Sequence, residues 1–130
     1  MYKLTFDNND EYILGGDCIM EGMAYCAEKI VGSKCNLKFF PYKICANLIE
    51  QSIGVVDDKI ILVLLELSLL HEIPPVCLNS LLNEIKKNKN ILSQTPIEIY
   101  AHMYKFLNKN NQGRCQEWRR LFLCSSFLQR

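Results

Sequence analysis

Thr95-Pro96-Ile97-Glu98-Ile99 reads as the start of a helix. Threonine is a good N-cap, because its hydroxyl accepts a hydrogen bond from one of the unpaired N–H groups of the first turn. Proline suits the first helical position, where no N–H is needed. Glu98 stands three residues after Thr95, the spacing of a capping box. Two apolar helical segments precede this start, and a short hairpin pattern opens the chain. Strands first and helices after suggest an α+β domain that presents helices to a partner and carries no active site.

The upstream residues fill in that order. Tyr2-Lys3-Leu4-Thr5-Phe6 alternates apolar and polar side chains, the period of a half-buried strand. Asp7-Asn8-Asn9-Asp10 is a dense turn signal. Glu11-Tyr12-Ile13-Leu14 reads as the returning strand of a hairpin, and Gly15-Gly16 breaks it. From Asp17 or Cys18 a helical stripe runs through Ile19, Met23, Cys26, Ala27 and Ile30, and Gly32-Ser33 stops it. Residues 35–40 predict a third strand. Pro41 then opens a helix with Ile44, Cys45, Leu48, Ile49 and Ile53 on one face and Gly54 at its end. Asp57-Asp58 places negative charge at the next helix amino terminus, where the dipole favours it. Residues 60–70 are apolar nearly all round, interrupted by Glu66 and Ser68, as in the central helix of a domain. Its β-branched start, Ile60, Ile61 and Val63, also fits a buried strand. Pro74-Pro75 ends that segment, and Val76, Leu78, Leu81, Leu82 and Ile85 mark another helix. Thr95 caps the next one, to about Leu107. Residues 116–128 form a last amphipathic pattern carrying the single tryptophan, Trp118.

At 130 residues the chain has the length of about one domain. Hydrophobic residues make up 49%, enough for a core without metal or disulfide staples. The net charge of +1 gives no general attraction for nucleic acid or anionic membrane, so neither is expected as a partner. The longest apolar run, residues 60–65, is far too short to span a bilayer, and the opening residues lack a secretory leader pattern. Lys86, Lys87, Lys89, Lys105, Lys109, Arg114, Arg119 and Arg120 are spread over loops and helix faces, as on a solvated surface. The seven cysteines are Cys18, Cys26, Cys35, Cys45, Cys77, Cys115 and Cys124. None forms a C-x-x-C pair, and neither His71 nor His102 stands at zinc-finger spacing from them. Cys26, Cys45 and Cys77 occupy apolar helical positions, where a thiol behaves as a small hydrophobe. Reduced core thiols fit a cytoplasmic and nuclear protein.

No arrangement demands catalysis, a metal or a cofactor. His71 and His102 are lone histidines in helical patterns. Gly15-Gly16 lacks the lysine and hydroxyl of a phosphate cradle. Cys77 has no basic neighbour to lower its pKa. What remains is a surplus of apolar side chains in the last helices, beyond what a first unit of residues 1–90 needs for its own core. Residues 91–130 then read as a helical extension whose apolar faces need a partner.

With these patterns in place the chain resembles the Skp-type (S-phase-kinase-associated) BTB/POZ-fold adaptors of cullin–F-box ubiquitin ligases, related to Elongin C. Tyr2-Lys3-Leu4, a polar turn and Glu11-Tyr12-Ile13-Leu14 are similar to the family's first hairpin. Leu37-Lys38-Phe39-Phe40-Pro41 and the following helix resemble its next strand, leucine-proline and helix. Val56-Asp57, Leu64-Leu65 and Ile73 are similar to its valine-aspartate start and leucine-rich helix. Thr95-Pro96-Ile97-Glu98-Ile99 looks like its threonine-proline-glutamate-glutamate-isoleucine, which separates the Skp type from Elongin C. The resemblance implies a BTB/POZ-like α+β fold: three short strands packed on a helical cluster, β-β-α-β-α-α, with extra C-terminal helices for F-box binding. It implies a non-catalytic adaptor between an F-box protein and a cullin, able to form a homodimer when alone. The implied F-box face is Leu78, Leu81, Leu82, Ile85, Pro96, Ile97, Ile99, Met103 and Trp118. Of these, Leu81, Ile85, Ile99 and Met103 fit ordinary core equally well. The family's cullin-touching asparagine-tyrosine falls at Ser68, Leu69 and Leu70, where this chain has neither residue.

Two other readings stay open from sequence. One keeps the fold but changes the role, to a Skp-like subunit of a non-ligase assembly or a pathogen mimic that binds only one partner. The other is an all-helical interaction protein of a different family, with the hairpin misread.

Overall fold

A computed structural model describes residues 2–5, 11–32 and 39–110. Its elements run β1 (Tyr2–Thr5), β2 (Glu11–Leu14), α1 (Gly16–Ile30), a π-helical turn (Phe39–Lys43), α2 (Ile44–Ile53), α3 (Asp58–Leu69), α4 (Pro74–Lys87), a 3-10 turn (Lys89–Ser93) and α5 (Pro96–Asn110). The described part is therefore a mostly helical α+β structure with one small antiparallel sheet.

The hairpin forms as its alternation requires. β1 and β2 pair from Tyr2 opposite Leu14 to Thr5 opposite Glu11. Leu14 is buried, and Leu4 and Tyr12 pack against the core from the same ribbon. A two-stranded ribbon is marginal in water and needs this helical support.

α3 is the axis of the molecule. Every residue from 60 to 68 is buried, and the helix touches α1, α2, α4 and α5. Length decides against the strand alternative: twelve residues under a helical cap form a helix packed on several sides. Its amino end is fixed by Asp57, whose carboxylate accepts from the Lys59 N–H at 2.7 Å. Asp58 adds charge in the first turn, favourable for the dipole. The segment ends where Pro74 and Pro75 begin α4, at positions that need no N–H donor.

The expected third strand over residues 35–40 is corrected in part. Phe39 and Phe40 belong to the π-helical turn that runs through Pro41 into α2. Proline's fixed φ fits helical entry, and α2 follows without a break. Residues 35–38 lie outside the described residues, as does the expected helix over 116–128. Gly54 closes α2 at φ 90°, a conformation L side chains rarely adopt.

Candidate interaction surface

The cap read at Thr95 is made. Its Oγ1 accepts from the Glu98 N–H at 3.3 Å, and the Thr95 carbonyl accepts from the Ile99 N–H at 2.9 Å. α5 then sets Ile99, Met103 and Leu107 on the core against α3, all with at most 1% of their surface exposed. Those three positions are four residues apart, one helix face. Ile97, two residues before Ile99, falls on another face and is 47% exposed; Pro96 is half-buried beside it.

The residues expected to form an F-box face therefore divide. Leu78, Leu81, Leu82 and Ile85 of α4 are buried, as are Ile99 and Met103. In the chain as it stands these six hold α4 and α5 to the core, because a stripe at helical spacing is first used to dock its own helix. Leu78 and Leu82 also border a cleft of about 260 Å³ between the hairpin, α2 and α4, together with Leu4, Leu14, Leu48 and Val76. Lys3, Ser52 and Asn79 give that apolar cleft a polar margin. Ile97 and Pro96 are the expected anchors that reach solvent among the described residues. Trp118 lies outside them.

The three positions aligned with the cullin-touching pair also divide. Ser68 is fully buried, and its hydroxyl donates to the Leu64 carbonyl at 2.7 Å. Back-bonding one turn up its own helix removes it from any surface. Leu69 and Leu70 are half-buried at the end of α3, where the backbone turns through His71 towards α4. There the Ile73 N–H donates to His71 Nδ1 at 3.0 Å, so His71 braces a turn.

Burial governs the titrating groups. Cys26 is pushed up to about 11, chiefly by desolvation, with nearby Asp58 adding to it. Burial likewise pushes Cys45 and Cys77 to about 12. These thiols are protonated at neutral pH and poor nucleophiles. Glu66 is raised to about 7 by burial alone. Lys29 is raised mainly by its hydrogen bond to Asp58, an ion pair at 3.1 Å that ties the end of α1 to the start of α3. Both side chains are more than 30% exposed, so the pair adds at most about 1 kcal/mol.

Among the described residues no group of three or more His, Cys, Asp or Glu side chains is placed to hold a metal ion. No described helix is long and apolar enough to cross a membrane. Comparison with family models, with curated proteins and with solved structures found no match to this chain.

Proposed function

We propose that the chain is a non-catalytic Skp-type adaptor with a BTB/POZ-like fold, which bridges an F-box substrate receptor to a cullin scaffold in an SCF-type ubiquitin ligase. The observation that carries this reading is α5. It begins at a made cap on Thr95, seats one face on the buried central helix, and leaves Pro96 and Ile97 towards solvent, after a hairpin and four helices. An F-box helix laid across that exposed start would bury Ile97 in a helix-in-groove contact. Burial contributes roughly 25 cal/mol per Å², less the cost of association, so a few anchors dominate.

Isothermal titration with an F-box domain tests the reading. Saturable binding is expected, and Ile97→Asp should weaken it at least about tenfold, as for an interfacial anchor. No association at high micromolar concentration would sink it.

A second reading has its own observation. Leu69 and Leu70 stand where the family places its asparagine-tyrosine, and both are half-buried aliphatics without a hydrogen-bonding group. That favours a Skp-like subunit of a non-ligase assembly, or a mimic that takes one partner only. A cullin amino-terminal domain titrated separately divides the two. Cullin binding supports the ligase adaptor, and F-box binding without cullin binding supports the alternative.

A further inference from the structure

The cleft between the hairpin, α2 and α4 has walls that belong to the core. Leu14, Leu78 and Leu82, all buried, line it together with half-buried Leu4, Leu48 and Val76. Side chains held by the core keep the cleft preformed, so a ligand does not have to order its walls. At about 260 Å³ it is larger than the roughly 150 Å³ apolar cavity that accepts benzene, and smaller than a drug-sized pocket. None of its lining residues is aromatic. Aliphatic walls offer no ring face for stacking, so a short alkyl chain suits the space better than a flat ring.

The margin carries charge of one sign. Lys3, Ser52 and Asn79 are its polar residues, and no acid lines the cleft. The Lys3 ammonium is exposed and pairs with no described residue. On the hairpin Lys3 stands opposite Ile13, whereas Glu11 stands opposite Thr5, further along the ribbon, and does not border the cleft. Of the acids on α2 and α4, Glu50 lines a different cleft and Glu84 does not line this one. The Ser52 hydroxyl and the Asn79 amide can each donate a hydrogen bond. The start of α4 adds its dipole but no open donor. Pro74 and Pro75 have no N–H, and the Val76 and Cys77 N–H groups both donate to the Ile73 carbonyl, at 3.1 and 3.2 Å. An apolar cleft edged by one cation and two neutral donors fits an aliphatic tail that ends in a carboxylate. A cationic head group would be repelled by Lys3.

We propose that this cleft binds a short aliphatic monocarboxylate of about six to ten carbons, at roughly 30 Å³ for each small group enclosed. Its alkyl chain lies among Leu14, Leu48, Leu78 and Leu82, and its carboxylate meets Lys3, Ser52 and Asn79. The site includes neither Pro96 nor Ile97, on which the adaptor reading rests.

Amide NMR titration of the whole chain with octanoate tests it. Saturable shifts are expected in the hairpin, α2 and α4, with a dissociation constant on the order of 0.1–1 mM, as for a ligand of about ten heavy atoms. From butanoate to decanoate the affinity should rise by up to about fourfold per methylene and then level off as the cleft fills. Octylammonium, the same chain with a cationic head, should bind at least about tenfold more weakly. Val76→Asp puts a carboxylate at the cleft, in a first helical turn that favours acids, so it should abolish octanoate binding while the chain still melts cooperatively. Lys3→Glu should weaken binding by at least about tenfold. Shifts that do not saturate by about 10 mM, octylammonium bound as tightly as octanoate, or an affinity indifferent to both variants would each overturn the proposal.

Discussion

Glu66 is the buried acid among the described residues, with 7% of its surface exposed in the middle of α3. Burial raises its pKa from 4.5 to about 7, because the charged form loses its water. The folded value lies above the unfolded one, so the sign is unfavourable at neutral pH. Below 4.5 both states hold the proton and Glu66 costs nothing. Between 4.5 and about 7 the unfolded chain ionises while the folded chain keeps its proton, and stability falls as pH rises. Above that window the cost is constant, at roughly 3 kcal/mol. Glu66→Gln should therefore stabilise the chain by about that much at pH 8 and by almost nothing at pH 4.5, which denaturant melts at the two pH values will read. An equal effect at both would show that folding leaves the Glu66 pKa unshifted. Gly22 carries the opposite lesson. A Cβ there would lie 3.2 Å from the Cys45 Cβ and 3.3 Å from Leu65 Cδ1, so α1 approaches α2 and α3 through the missing side chain. Gly22→Val should cost about 2–3 kcal/mol by overpacking, although glycine is itself a poor helix former. An unchanged urea midpoint would mean that the helices separate freely.

Helix starts were the most legible elements, because capping is local chemistry. Thr95 makes the bond its spacing promised, and Asp57, expected only to place charge at a helix start, also caps α3 with its carboxylate. The reciprocal half of the box is not made: the Glu98 carboxylate accepts no bond from the Thr95 N–H among the described residues. A single-sided cap predicts a single-sided loss, so Thr95→Ala should lower stability by about 1 kcal/mol and Glu98→Gln by much less. Thermal unfolding of the two variants side by side decides, and equal losses would argue for a full box. The hairpin was legible for a different reason, since period 2 buries one face; the segment of α3 was legible as buried, and its length, not its periodicity, decides for helix over strand. Phe39 and Phe40 were misread as strand because aromatic side chains suit strands, whereas what decides their backbone is the proline and the helix that follow. Local propensity yields to the neighbouring element when the two are joined without a turn.

At the scale of the whole molecule the interaction surface was less legible than the core, because the same aliphatic stripe docks a helix to its own domain or to a partner. Leu81, Ile85, Ile99 and Met103 have the right residue type for an F-box anchor, yet each is fully buried. Exposure, which no periodicity encodes, separates them from Ile97. Burial is also what the thiols report. Of seven cysteines, Cys18, Cys26, Cys45 and Cys77 are described and all are buried as free thiols. Cys18 Sγ donates to the Ile13 carbonyl and Cys45 Sγ to the Cys18 carbonyl, so the group joins the hairpin, α1 and α2. A thiol reagent at pH 8 should then label promptly at most Cys35, Cys115 and Cys124. The other four should react only as the fold opens, at a rate set by its stability when reclosing outruns labelling. The core variants become a calibration of that rate. A change of about 3 kcal/mol corresponds to roughly 150-fold in the open population. Glu66→Gln should slow the protected class at pH 8 by about that factor, and Gly22→Val should speed it by a similar one. Prompt labelling of all seven thiols in a chain that still melts cooperatively would mean that α1 and α2 do not enclose Cys26 and Cys45.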